Sequence, residues 1–222
     1  MKFIGIIPAR AGSIGVKDKN TRHLNGKPLI CYTIEAALNS NLNQVIVTTD
    51  CEKVIEIAKE YPVKIIQRPS ELAKSTTSMI EVINHTFKKI DFSEFSFFML
   101  LQPTSYLRTS NDINSSINLV LKNQNIDGLI SVTEVPHSFN RVKQMTEING
   151  FLKGDEIIQR QKIDIGYSRN GAIYMHRNFK NFKSFLEGRI IKYLMPFNLS
   201  FDIDEERDWD LAEILIKHIK EI

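Results

Sequence analysis

Apolar residues along the chain follow two rhythms. Short unbroken runs at 3–7, 45–49, 63–66, 97–101, 128–133, 171–175 and 190–194 have the length and β-branched or aromatic character of buried strands. Between them apolar positions recur at helical spacing, as in Leu29, Ile30, Ile34, Ala37 and Leu38, a segment that Pro28 is suited to open. Helices are predicted over 28–39, 52–60, 77–88, 110–122, 178–186 and 205–220. Strands alternating with helices, without internal repeats, predict an α/β fold: a mostly parallel sheet with helices on both faces. Ligands of such sheets bind beyond the carboxyl ends of the strands. The loops after Ile7, Ile66 and Leu101 are therefore expected to converge on one cleft.

From 136 to 169 the rhythm fails. The segment mixes His137, Arg141, Lys143, Arg160 and Lys162 with apolar Phe139, Val142, Met145, Phe151, Ile157 and Ile158. It reads as a long surface insertion, and one hard to stabilise alone. No linker or low-complexity stretch marks a second unit, so residues 1–222 are read as one domain.

Composition narrows the function classes. A chain of 222 residues is ample for one buried core. Its 29 basic and 26 acidic residues leave a net charge of +3, too small and too evenly spread to imply nucleic acid or a membrane surface. Cys31 and Cys51 have neither metal nor disulfide-framework spacing, and the opening apolar run breaks at Pro8, too early for a signal or a span. A soluble, cytoplasmic protein is expected.

The richest chemistry follows the first strand, in Ile6-Ile7-Pro8-Ala9-Arg10-Ala11-Gly12-Ser13-Ile14-Gly15-Val16-Lys17-Asp18-Lys19-Asn20. Gly12 and Gly15 allow a tight curl and close approach to a ligand. Ser13 and free backbone N–H groups can donate to anionic oxygens, and Arg10, Lys17 and Lys19 add positive charge. Neither G-x-x-x-x-G-K-[ST] nor G-x-G-x-x-G is present, since Gly26-Lys27 runs into Pro28. Taken alone, the glycines suit an ordinary strand-to-helix loop equally well.

The full run is more specific. It resembles the first signature of the acylneuraminate cytidylyltransferases, the CMP-sialic acid synthetases, I-P-A-R-x-G-S-K-G-x-x-x-K-N. Pro8, Ala9, Arg10, Gly12, Ser13, Gly15, Lys19 and Asn20 match it, while Ile14 stands where the family usually has lysine. Four further stretches resemble family motifs in the family's order. Arg68-Pro69-Ser70-Glu71-Leu72-Ala73, followed by Ser75-Thr76-Thr77-Ser78, resembles a nucleotide-binding stretch. Leu101-Gln102-Pro103-Thr104-Ser105-Tyr106-Leu107-Arg108 departs from L-Q-P-T-S-P-L-R only at Tyr106. Gln159-Arg160-Gln161 and Asn170-Gly171-Ala172-Ile173-Tyr174 follow, and then Asp202-Ile203-Asp204.

On residue types alone, a D-x-D triplet is commonly a solvated surface feature and Tyr174 could be plain core. Two carboxylates on alternate positions of an extended segment nevertheless project to one side and can reach one hard cation. The histidines are dispersed, which argues against zinc.

The resemblance implies transfer of CMP from CTP to the anomeric hydroxyl of a nonulosonic acid, with release of pyrophosphate. It places CTP on Pro8, Ala9, Arg10, Gly12, Ser13, Gly15, Lys19, Asn20, Arg68, Thr77 and Ser78. It places the sugar acid on Gln102, Arg141, Arg160, Asn170 and Tyr174, with Arg160 the first choice for its carboxylate. Mg²⁺ falls to Asp202 and Asp204, and Arg10, Lys19, Asp202 and Asp204 are the expected catalytic set. By resemblance, 136–169 packs against its twin in a homodimer and lends residues to the partner's cleft. Two alternatives remain: a cytidylyltransferase for 3-deoxy-manno-octulosonic acid, whose opening loop lacks the G-S-x-G and K-N pairings, and a catalytically weak nucleotide-binding homologue, for which Ile14 is the warrant.

Overall fold

The computed structural model describes residues 1–123, 125–136, 139, 145–149, 151–154, 165–177 and 179–219. The first apolar run forms strand β1 (Phe3–Ala9); a small ribbon, β2 (His23–Leu24) with β3 (Lys27–Pro28), closes the loop after it. Helix α1 (Leu29–Leu38), strand β4 (Gln44–Thr49), helix α2 (Glu52–Lys59) and strand β5 (Lys64–Gln67) follow. Then come helix α3 (Met79–Phe87), strand β6 (Phe97–Leu100), helix α4 (Ser110–Lys122) and strand β7 (Gly128–Glu134). A short hairpin, β8 (Met145–Ile148) with β9 (Phe151–Gly154), stands apart from the main sheet. The chain returns through β10 (Tyr167–His176), β11 (Ile190–Leu194) and helix α5 (Glu206–Ile219).

Seven described strands form one sheet in the order β11-β7-β10-β6-β1-β4-β5. Its pairs are parallel except where β10 runs antiparallel to both β6 and β7. The unbroken apolar runs of the central strands have a direct cause, because those strands are covered on both faces. Phe3 and Ile7 of β1, with Phe97 and Met99 of β6, pack beneath α1, α2 and α4. Their alternates Ile4, Ile6, Phe98 and Leu100 pack on the opposite face against Ile83 of α3 and Phe182. A third cluster lies outside the sheet and joins Val16 of the opening loop to Tyr106, Ile203 and Trp209. Burying a side chain of this size contributes about 1.5–3 kcal/mol, so this cluster ties the first loop firmly to α5.

Three expectations need correction. The helix predicted over 178–186 is absent among the described residues there. Asn181 has φ of 50°, a left-handed conformation that no helix tolerates, and Phe179, Phe182 and Phe185 join an aromatic cluster around Phe98. Helix α3 begins at Met79, later than expected, because Ser78 and Glu81 form a reciprocal capping box that sets its start. Pro28 lies in β3, ahead of α1 and not within its first turn.

Candidate active site

The loop that leaves β1 is held open by contacts that its own sequence does not advertise. Asp50, just past β4, accepts the Ala11 N–H at 3.0 Å. Asn20 donates to the Arg10 carbonyl at 3.1 Å, while the Ile30 N–H donates to the carbonyl of Asn20, fastening the loop's far end to α1. Lys19 reaches 2.6 Å to the carbonyl of Ile203, and its ammonium stands 3.7 Å from Asp204. Gly15 lies against the backbone of that same segment: a methyl group there would sit 1.9 Å from the Asp204 carbonyl oxygen. The loop and the segment before α5 are therefore one packed unit.

Across the opening sits Arg68, which is only 5% exposed. Its guanidinium donates to the Thr48 carbonyl at 2.9 Å, and its Nε–H is buried without a partner. Burial lowers its pKa, Asp50 opposes that shift, and Arg10 adds to it. Two like charges held side by side with an N–H left over make a receptor for an anion.

Asp202 and Asp204 differ in environment. Asp202 is largely buried and its Oδ1 has no hydrogen-bond partner. Burial pushes its carboxyl pKa up; Thr104 and Lys19 oppose the shift and Asp204 reinforces it. The Asp204 side chain is 77% exposed. Its backbone N–H and that of Glu205 both donate to Asp208 Oδ2, at 2.9 and 2.8 Å, so Asp208 pins the pair. A partnerless buried carboxylate oxygen beside a second, solvated carboxylate suits a hard cation that keeps part of its water shell. Among the described residues no group of three or more His, Cys, Asp or Glu side chains forms a metal cage.

The third wall comes from the loop after β6, which rests on a bulge in β10, whose pairing with β7 shifts between Arg169 and Tyr174. Gly171 has φ of 76° there, and a methyl group on it would lie 3.0 Å from Asp202 Oδ2, 3.1 Å from Gln102 Oε1 and 3.2 Å from Ser105 Oγ. Both the backbone angle and the crowding call for glycine. Arg108, 2% exposed, donates to the carbonyls of Gln102 at 3.2 Å and Ala172 at 2.8 Å and to Thr33 Oγ1 at 2.7 Å. Together these walls enclose a cleft of about 300 Å³ lined by Arg10, Ser13, Lys19, Arg68, Gln102 and Asp204, among others.

Comparison with known proteins fits this geometry. A family model described as Cytidylyltransferase matches residues 4–222. The chain belongs to the cytidylyltransferase family. It is 35% identical over 216 residues to an N-acylneuraminate cytidylyltransferase of Escherichia coli O18:K1:H7, covering 95% of this chain and 51% of that protein. The chain thus spans about half the length of that relative. It is 32% identical to a CMP-N,N'-diacetyllegionaminic acid synthase of Legionella pneumophila, covering 98% of this chain and 97% of the other. It is 30% identical to a pseudaminic acid cytidylyltransferase of Campylobacter jejuni, with the same coverage of 98% and 97%. Among solved structures, a CMP:2-keto-3-deoxy-manno-octonic acid synthetase complexed with CTP superposes with a TM-score of 0.75 at 16% identity, covering 100% of both chains. At that identity the likeness shows the fold.

In this chain, Pro8, Arg10, Ser13, Gly15, Lys19, Asn20, Arg68, Gln102 and Asp204 line the cleft. Ala9 is buried at the end of β1, and Gly12 makes the turn with φ of 62°. Thr77 donates to the Glu71 carbonyl and Ser78 is engaged in its capping box; neither lines the cleft, where Met79 stands instead. Asn170 was expected at the sugar acid, but its amide is fully occupied. It accepts from Ser131 Oγ and the Ala172 N–H, and donates to Ser200 Oγ and Met195 Sδ, so it pins the bulge. Tyr174, also expected there, lies 5.1 Å from Phe185 with the two rings tilted by 43°, in the aromatic cluster. Lys17 lies in a different surface depression with Arg22 and Lys53, away from the cleft. Arg141 and Arg160 lie outside the described residues. In the sequence Asp50 has no role beyond ending a strand, Asp208 only a place in the charged first turn of the last helix, and Arg108 only the final position of a motif; what each of them holds is decided by the fold.

Proposed function

We propose that this chain transfers CMP from CTP to the anomeric hydroxyl of a sialic-acid-like nonulosonic acid and releases pyrophosphate. The observation that carries the reading is the single cleft in which Arg10, Lys19 and Arg68 face Asp204 and Gln102. Arg10, Lys19 and Arg68 hold the triphosphate, aided by Ser13 and the loop's N–H groups. The desolvated Arg68, with an N–H to spare, is the strongest of these donors. Gln102 and Arg160 orient the sugar acid, the guanidinium taking its carboxylate. Asp202 and Asp204 hold Mg²⁺, which when bound neutralises phosphate oxygens and lowers the pKa of the attacking hydroxyl. The chain's own contribution is positioning: the hydroxyl meets the α-phosphorus in line, and the charge of the leaving pyrophosphate falls among three fixed cations.

We also read the chain as a homodimer joined through 136–169. Phe139, Met145, Phe151 and Ile165 are exposed on its described parts, an apolar surface that a second copy would cover. Light scattering at micromolar concentration should give twice the monomer mass. A cytoplasmic setting fits Cys31 and Cys51, which are both free thiols. Among the described residues no helix is long and apolar enough to cross a membrane.

Pyrophosphate release from CTP with sialic, legionaminic, pseudaminic and 3-deoxy-manno-octulosonic acids tests the reaction. Turnover on at least one nonulosonic acid, and little on the eight-carbon acid, is expected. A second reading, nucleotide binding without turnover, has one observation in its favour: the apolar Ile14, 78% exposed, lines the cleft where the family carries a lysine. CTP-dependent thermal stabilisation with no pyrophosphate release on any acid would select it.

A further inference from the structure

We propose that Arg108 is a positioning residue for this cleft, holding Gln102 to the β10 bulge and setting a fixed positive charge behind Asp202. The proposal rests on the reading of the cleft given above. Arg108 touches neither ligand site directly. Its side chain is buried, and it ends the same loop that presents Gln102 and Thr104.

The bonding pattern is unusual for a buried arginine. One terminal nitrogen bridges the carbonyls of Gln102 and Ala172, the other donates to Thr33 Oγ1 on α1, and Nε–H has no partner. All its hydrogen-bond acceptors are neutral. Burial pulls its pKa down to about 10, against the opposing carboxylates of Asp112 and Asp202, so the group is still charged at neutral pH. Asp112 is already committed to the Thr109 cap and to the Tyr193 hydroxyl. Asp202 is the one of the two whose Oδ1 lacks a hydrogen-bond partner.

A buried, partly unsatisfied cation is a costly way to fill a core, and apolar side chains of similar volume are often as stable or more so. What the guanidinium provides that an apolar residue cannot is a rigid fork. The bulge takes the Ala172 carbonyl away from regular pairing with β7, and the fork ties it to Gln102. Gly171, immediately before Ala172, is the residue against which Asp202 Oδ2 and Gln102 Oε1 both rest. A shift of the fork would therefore move the metal carboxylate and the sugar-facing amide together, while Arg68 stays anchored to the Thr48 carbonyl in β4.

Arg108→Met and Arg108→Lys separate this role from simple packing. Wild type is first assayed for pyrophosphate release on the sugar-acid panel, and for the rise in Tm that Mg²⁺ adds to the CTP-bound protein. Folded Arg108→Met should lose on the order of tenfold or more in kcat and raise the sugar-acid KM. Its KM for CTP should stay within about twofold, and its Mg²⁺-dependent Tm increment should shrink. Arg108→Lys restores charge without the fork, so the Mg²⁺ increment should return while kcat stays depressed. Folded Arg108→Met with wild-type kcat and a wild-type Mg²⁺ increment overturns the proposal, as does an equal loss in the CTP and sugar-acid constants. If Arg108→Met does not fold, Thr33→Val removes one anchor of the fork outside the cleft. It must then lower kcat with the CTP constant unchanged; a lower Tm alone overturns the proposal. If wild type turns over no sugar acid, the transfer reading fails, and the Mg²⁺ increment of the variants still decides the role of Arg108.

Discussion

Gly15→Ala tests the claim that the opening loop and the Asp204 segment act as one unit. The added methyl would lie 1.9 Å from the Asp204 carbonyl oxygen and 3.1 Å from its carbon. Non-bonded heavy atoms settle at about 3.5–4.0 Å, so the two backbones must separate by roughly 1.5 Å. Neither partner is a flexible side-chain tip that could swing aside. Separation also works against the Lys19 bond to the Ile203 carbonyl, and against Val16 and Ile203, which are both fully buried in the shared cluster. Overpacking of this kind costs about 1–3 kcal/mol. Displacing a catalytic carboxylate by about 1 Å can cost on the order of a hundredfold in rate. Thermal unfolding should therefore report a modest loss, and kcat/KM for pyrophosphate release a fall near a hundredfold. Gly12→Ala is the control: nothing lies within 4 Å of the new methyl, and only its φ of 62° opposes it, at about 1–2 kcal/mol. That variant should lose comparable stability with a much smaller loss of rate. Gly15→Ala with wild-type Tm and kcat/KM within threefold would refute the close packing of loop and carboxylate.

Ile14→Lys should lower the apparent CTP constant by up to about tenfold, the factor that 1.4 kcal/mol represents, and leave the sugar-acid constant unchanged. Since Lys17 faces another depression, it offers no substitute charge; an unaltered CTP constant would place Ile14 away from the triphosphate. Asp204→Asn should fold normally and depress turnover by on the order of a hundredfold, as when one preorganised electrostatic group is lost; near-normal pyrophosphate release at saturating Mg²⁺ would reject that. His85 has its pKa lowered, chiefly by burial and further by Lys89, Arg68 and Lys88. The unfolded chain therefore binds this proton more readily, so stability is full above the ordinary histidine range and falls as pH drops through it toward the lowered folded pKa. Tm measured between pH 7 and pH 5 should decline less in His85→Gln than in wild type, and equal declines would contradict the assignment.

How much of this was legible in advance depended on whether the signal was local. The apolar runs foretold the strands because a strand covered on both faces needs side chains of one kind at every position, as in 3–7 and 97–100. The opening loop could be singled out as cleft-lining because its glycines and cations are concentrated in a few adjacent residues. Segment 178–186 misled because Phe179, Phe182 and Phe185 recur at helical spacing, although they are placed by the aromatic core around Phe98 and not by a helix.

The sequence by itself determined the alternation of strands and helices, the glycine- and cation-rich loop after β1 and the D-x-D pair, each of which needs only neighbours in the chain. Tertiary structure alone decided which side chains do the holding. Asp50 meets Ala11 across 39 positions, Lys19 meets Ile203 across 184, and Arg108 meets Thr33 across 75. It also ties the Asn170 amide into the bulge, because four partners from different parts of the chain meet it there. The reason is physical: a hydrogen bond or a steric contact acts over about 3–4 Å of space, whatever the separation along the chain, and residue type does not record which distant atoms the fold will bring within that reach.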